Sequence, residues 1–150
     1  MLTVSDTRNE ATDTSGRAIA EMLSEAGHEV VGRRIVRDEP EEMRAIVLEQ
    51  AGRSDVDVVI TTGGTGITSR DSTYEAVSGV LDKRLDGFGE LFRMLSYHDI
   101  GPAAMMSRAC AGTCRGTIVI VLPGSEAAVR LAMSKLLVPE LGHLVGQLRR

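Results

Sequence analysis

Hydrophobic positions change period along the chain, from short near-continuous apolar runs to stripes spaced three and four residues apart. The runs are MLTV at the start, VDVVIT at 56–61 and TIVIVLP at 117–123, and continuous apolar character of this kind predicts strands covered on both faces. HEVVGRRIV at 28–36 reads as a further strand whose polar residues suit an edge. The stripes predict helices. Ile19, Met22, Leu23 and Ala26 share one face, with Asp13 or Thr14 as cap and Gly27 as stop. Met43, Ile46 and Val47 define a second helix that opens at Pro40, carries Glu41 and Glu42 in its first turn and ends at Gly52. Tyr74, Val77 and Leu81 mark a third, and Phe88, Leu91, Phe92 and Leu95 a fourth. Val129, Ala132, Met133 and Leu136 lie on a long fifth helix, and a last one with Leu141, Leu144, Val145 and Leu148 begins at Pro139.

Alternating strands and helices imply βαβ crossovers, hence an α/β fold with a mainly parallel sheet and helices on both faces. The strand order stays open. In such a sheet each strand delivers its following loop to one edge, where ligands bind. That edge would collect Asp6 from SDT, Asp38 from RDEP, the glycine-rich TTGGTG at 61–66, Asp71, and Ser125 from PGS. A core strand that starts at the first residue is short for a central position, so a preceding leader is expected.

Length and composition narrow the function. With 150 residues the chain suits one domain, 1–150. A net charge of −4 and only 3% aromatic residues argue against nucleic acid, which favours a basic stripe and stacking platforms. No apolar run approaches the ~18–20 residues of a membrane span and no signal-peptide pattern opens the chain, so a cytoplasmic protein with no membrane partner is expected. Cys110 and Cys114, without a nearby His, cannot form a structural zinc site alone and read as small buried residues in a reducing compartment. His28, His98 and His143 are scattered and take no catalytic role, and Lys83 with Arg84 reads as solvated surface.

The glycine loop between strand and helix admits two readings. It is either a structural turn or an anion site in which free backbone N–H groups receive a phosphate. It is not a Walker A loop, lacking the Lys-Ser or Lys-Thr, nor a G-x-G-x-x-G fingerprint. Asp71 reads as a helix N-cap, and Asp38 as a cap for the helix at Pro40; either role is compatible with a place in a site. Carboxylates beside a phosphate loop would repel bare phosphate but hold Mg²⁺. PGS reads as a second anion-binding turn, with Ser125 as N-cap.

Taken in order, VSDTR, TTGGTG followed by RD and EA, GFGELFR, SRA and LPGS resemble the MoaB/Mog family of molybdenum-cofactor biosynthesis proteins, and LLVPELGHLV is closer to its MoaB branch. The resemblance covers nearly the whole chain. It implies a three-layer α/β sandwich, the MogA-like fold, assembled as a homotrimer or as trimers paired into a homohexamer. It implies adenylyl transfer from Mg-ATP to molybdopterin with release of pyrophosphate. It assigns Asp38 and Asp71 as catalytic and Mg²⁺-binding. Thr62, Gly63, Gly64, Thr65 and Gly66 would contact nucleotide or pterin phosphate, with Ser5, Asp6, Glu90, Ser107, Arg108, Gly124 and Ser125 completing the pocket. Two positions depart from the family pattern: Tyr74 stands where RDVTPEA has proline, and Glu126 follows PGS. The alternative is a non-catalytic module that binds molybdopterin. On that reading the extra carboxylates have no purpose.

Overall fold

A computed structural model describes the whole chain, Met1 to Arg150. Its elements run β1 (Leu2–Val4), α1 (Thr14–Glu25), β2 (Arg34–Val36), α2 (Pro40–Ala51), β3 (Val58–Thr62), α3 (Thr73–Ser78), β4 (Lys83–Arg84) and α4 (Asp86–Ile100). A 3₁₀ segment (Gly101–Met106), β5 (Cys110–Cys114), β6 (Thr117–Leu122), α5 (Glu126–Ala132), a π turn (Met133–Leu137) and α6 (Val138–Leu148) complete it. The strands form one sheet of order β2-β1-β3-β6-β5-β4. β2, β1, β3 and β6 are parallel, while β5 runs antiparallel to both β6 and β4.

Strand alternation splits the core into two layers. Ile118, Ile120 and Leu122 of β6 face Ile19 of α1, Phe92 of α4 and Val129 of α5. Val119 and Val121 face the other way, onto Met43 and Val47 of α2 and Val77 of α3. Successive strand residues point to opposite faces, so one apolar run serves both layers. The result is the mainly parallel sheet with helices on both faces that the pattern implies, and the three-layer sandwich that the resemblance implies. No helix is long and apolar enough to cross a membrane.

Four local expectations need correction. The second strand is confined to Arg34–Val36, because β1 offers it only the partners Leu2, Thr3 and Val4. Lys83 and Arg84, though exposed, pair with Thr113 and Gly112 as the edge strand β4. β5 was not expected as a strand; its CAGTC lacks the bulky residues that announce one. Pro139 does not separate two helices. The wider π turn before it absorbs a residue that has no N–H and would clash with the preceding turn, so the chain continues from α5 into α6.

Connections leave β1 toward β2 and β3 toward β6, so the strand order reverses between β1 and β3. A crevice opens at such a switch point beyond the carboxyl ends of the strands. Because β5 is antiparallel, the segment preceding it, Ser107 and Arg108, reaches the same edge; Cys110 lies opposite Val121 near the end of β6.

Candidate active site

The loop after β3 is shaped by two carboxylates. At Gly64, with φ +63°, a Cβ would land on Asp38 Oδ2 and Thr73 Oγ1. At Gly66 a Cβ would lie 2.6 Å from Asp71 Oδ2. Side-chain-free backbone is therefore required at both positions for the acids to press against the loop. The N–H groups of Gly64 and Thr65 make no hydrogen bond within the chain.

Neither acid has the capping role its local sequence suggests. α2 begins after Glu39, whose side chain makes no capping bond. Asp38, 8% exposed, instead reaches across to the entry of α3. Its Oδ1 accepts from Ser72 N–H at 3.2 Å, Ser72 Oγ at 2.8 Å and Thr73 Oγ1 at 3.3 Å. Asp71 lies before the α3 N-cap, Ser72, and its Oδ2 accepts from Thr68 N–H at 3.0 Å and Thr68 Oγ1 at 2.6 Å. The Thr68 hydroxyl, with help from the Gly66 amide and Arg108, holds the Asp71 carboxyl below the usual carboxylate range despite partial desolvation. With Asp38 already at the entry of α3, the amides left for a ligand are those of the loop itself.

Most of the remaining predicted groups surround this pair. Ser5 Oγ accepts from the N–H groups of Thr7 and Arg8, at 3.2 and 3.0 Å, and bends the loop after β1. Asp6 accepts from Asp38 N–H at 3.3 Å and pairs with Arg70 at 2.7 Å. The Arg70 hydrogen bond, foremost, pulls the Asp6 pKa down. Thr62 Oγ1 donates to Pro123 O at 2.7 Å, and Gly63 N–H to Leu122 O at 3.1 Å, tying the glycine loop to the PGS turn. Ser125 is the expected N-cap, its Oγ accepting from Ala128 N–H at 3.3 Å. Thr65, Gly66, Ser107, Gly124 and Ser125 line one cavity of about 380 Å³, closed by Ser96, Asp99, Met106 and Leu131. Glu90 stands apart. It lines a separate cavity of about 230 Å³ with Arg84, Arg93 and Cys110. An apolar cavity of about 280 Å³ lies at the opposite end of the sheet, around Met1, Val58 and Leu141, away from these groups.

Several residues here escaped the sequence reading. Arg70 spans Asp6 and Glu39, the latter at 3.2 Å, and its only signal is its place beside Asp71. Arg8, inside VSDTR, donates to Gly124 O and Ser15 Oγ at 3.0 Å each and secures the PGS turn from the other side of the crevice. Glu75 and Tyr74 hold Arg108, whose guanidinium carbon lies over the Tyr74 ring, 4.9 Å from its centre. Cys110 and Cys114 are buried and free, as expected, and burial pushes the Cys110 thiol up to about 11.

No group of three or more His, Cys, Asp or Glu side chains forms a metal cage. Mg²⁺ seldom needs one, since it is commonly held by one or two carboxylates together with substrate phosphates and water. Asp38 fits that manner of binding. All of its donors fall on Oδ1, leaving Oδ2 against the loop. In Asp71 both Thr68 donors fall on Oδ2. Together these groups bring unpaired amides and two carboxylates into one crevice, a combination chemically able to meet phosphates and a divalent cation.

Comparison with known proteins gives this class a definite family. The model of a family described as "Probable molybdopterin binding domain" matches residues 1–143. Molybdenum cofactor biosynthesis protein B of Bacillus cereus is 56% identical over all of this chain and 89% of its own. A crystal structure of a molybdenum cofactor biosynthesis protein B superposes with a TM-score of 0.96 at 56% identity, covering 99% of this chain and 93% of the other. A tungsten cofactor synthesizing protein MoaB from Pyrococcus furiosus superposes with a TM-score of 0.88 at 41% identity, covering 99% and 94%. The chain belongs to the MoaB/Mog family of molybdenum-cofactor biosynthesis proteins, in its MoaB branch.

Proposed function

We propose that the protein transfers AMP from Mg-ATP to the terminal phosphate of molybdopterin and releases pyrophosphate. One observation carries this reading: Asp38 and Asp71 both press against a glycine loop whose Gly64 and Thr65 amides lack partners. A protein that only carried an anionic pterin would gain nothing from two carboxylates at its phosphate loop. A protein that brings two phosphate groups together needs both amides and a cation.

The chemistry follows from charge. The pterin phosphate, a dianion near neutral pH, is already a nucleophile and needs no general base. One of its oxygens attacks the α-phosphorus of ATP, a P–O bond forms, and the bond to the bridging oxygen breaks as pyrophosphate departs. Mg²⁺ entering with ATP supplies Lewis-acid stabilisation of the charge that builds on these oxygens. Asp38 and Asp71 would hold that cation, while the Gly64 and Thr65 amides and the Ser125 turn fix the phosphates. The cavity of about 380 Å³ lies within the range for a small-molecule ligand, roughly 300–1,000 Å³, and holds one of the two substrates beside the loop. Asp6 acts through Asp38 and Arg70. We place the reaction in the cytoplasm, where ATP is supplied and Cys110 and Cys114 stay reduced.

The homotrimer, or a hexamer of two trimers, belongs to the same reading. It finds support in an exposed apolar face on α4, with Leu91, Met94 and Tyr97, continued by Ile100, Met105 and Met106. Residues 139–148 offer no such face, because Leu141 is buried and Leu144, Val145 and Leu148 pack on the protein's own core.

Calorimetric ATP titrations with and without Mg²⁺ test the metal's place. The wild type binds ATP more tightly with Mg²⁺, and Asp38→Asn and Asp71→Asn each lose most of that difference. Mg²⁺ dependence unchanged in both variants refutes the assignment.

A further inference from the structure

We propose that Arg108 is a positioning residue that acts on Asp71 through the glycine loop, rather than a ligand for either substrate, with Tyr74 and Glu75 as its seat. The proposal deepens the adenylyl-transfer reading, and its kinetic consequences rest on that reading.

The geometry of one guanidinium leads there. Arg108 Nε donates to Thr65 O at 2.9 Å and Nη2 donates to Gly66 O at 2.7 Å. Nη1 pairs with Glu75 Oε1, and Nη2 reaches Glu75 Oε2 at 3.2 Å. The group has five N–H donors in a fixed fork, so four directed into the protein leave little for a substrate. Its guanidinium carbon lies over the Tyr74 ring, 4.9 Å from the ring centre. Arg84 reaches the Tyr74 hydroxyl at 3.4 Å from the far side and steadies the ring.

Holding the Thr65 carbonyl has a consequence at the other end of the same peptide. In a trans peptide the C=O and the following N–H point in opposite directions. Arg108 therefore turns the Gly66 N–H away from itself and fixes the Gly66 backbone, against which the Asp71 carboxylate packs so closely that a Cβ at Gly66 would lie 2.6 Å from Oδ2. A second grip, on Gly66 O, fixes the next peptide in the same way. The loop transmits the position of Arg108 to a carboxylate that the proposed reaction needs at a defined place, without Arg108 meeting a phosphate.

The test uses the intact protein with Arg108→Lys, Arg108→Gln, Tyr74→Leu and Glu75→Gln. Pyrophosphate release with Mg-ATP and molybdopterin is measured together with the ¹⁵N–¹H resonance of Gly66 in the ligand-free protein. For Arg108→Lys and Arg108→Gln, kcat falls by about 30–100-fold, the scale for a misplaced catalytic group. KM for ATP changes less than about threefold, since ground-state binding is spared. Lysine does not rescue, because one ammonium cannot reproduce the fork. Tyr74→Leu and Glu75→Gln lower kcat severalfold, add nothing to Arg108→Gln, and shift the Gly66 resonance. A KM increase that lysine repairs, with Tyr74→Leu silent and Gly66 unmoved, overturns the proposal in favour of a direct ligand. Lowered thermal stability with kcat and the Gly66 resonance unchanged overturns it in favour of a merely structural role. If the wild type does not turn over, the adenylyl-transfer reading has failed, and the Gly66 resonance in Arg108→Gln still decides the clamp: a shift supports it and no shift refutes it.

Discussion

Replacing Asp38 by asparagine separates charge from hydrogen bonding. Asp38 Oδ1 accepts three donors from Ser72 and Thr73 in a site that is only 8% exposed. An asparagine oxygen placed there keeps the acceptor, and its nitrogen takes the place of the oxygen beside Gly64. Hydrogen bonds to a charged acceptor contribute about 1.5–3 kcal/mol and neutral ones about 0.5–1.5, and the three share one oxygen, so Asp38→Asn should cost about 1–2 kcal/mol. Asp38→Ala leaves all three donors without an acceptor and should cost about 3–5 kcal/mol, water offsetting part of the loss. With a urea m-value of about 2 kcal/mol/M, the midpoints fall by about 0.5–1 M and about 2 M respectively. Turnover should separate the two roles further. Asp38→Asn should lose about 100-fold in adenylyl transfer while fully folded, the scale for one electrostatic stabiliser of a transition state. Near-wild-type turnover in Asp38→Asn would refute the catalytic role. Equal destabilisation by Asn and Ala would refute the hydrogen-bond account of why Asp38 sits there.

Other consequences are equally concrete. Gly64→Ala forces a side chain into positive φ and onto Asp38 and Thr73, and should destabilise by about 2–5 kcal/mol. Gly146→Ala, in open space on α6, should instead stabilise by up to about 1 kcal/mol; denaturant unfolding compares the two. Burial works against ionised Asp13, but Arg33 at 2.8 Å, Gly16 N–H and Thr3 prevail and lower its pKa. A depressed carboxylate stabilises the fold above the unfolded pKa of about 4, and the contribution is lost as pH falls through the lower folded value. Stability of the wild type should therefore decline below about pH 4, and Asp13→Asn, less stable at neutral pH, should decline less steeply. If the proposed trimer forms through α4, serine at Leu91 and Met94 should dissociate it in sedimentation velocity; a wild type already monomeric at micromolar concentration would contradict the assembly.

Legibility in the sequence followed range. The helical stripes of α1, α2 and α4 and the apolar runs of β3 and β6 are local patterns, and they fixed the class of fold and the edge that carries the loops. β5 was hidden because Cys110, Ala111 and Gly112 are small; burial between β6 and β4, rather than propensity, makes CAGTC a strand. β4 is two exposed charged residues that only backbone pairing with Thr113 and Gly112 makes a strand. The site shows the same division. Membership of the carboxyl edge was readable for Asp6, Asp38, Asp71 and Ser125. The partners were not: Asp38 meets Ser72 at a separation of 34 residues, and Arg108 meets Thr65 at 43. Local capping rules sent Asp38 to α2 and Asp71 to α3, whereas tertiary contact brings Asp38 to α3 and turns Asp71 back onto its own loop.

The most direct measurement is single-turnover reaction of the purified protein with molybdopterin, Mg²⁺ and α-³²P-labelled ATP, separating free pyrophosphate and labelled pterin. The account predicts one AMP transferred to the pterin for each pyrophosphate released, only with Mg²⁺ and pterin together, and suppressed by about 100-fold in Asp71→Asn. Tight pterin binding with no label transferred would contradict it and leave the protein a binding module of the pathway.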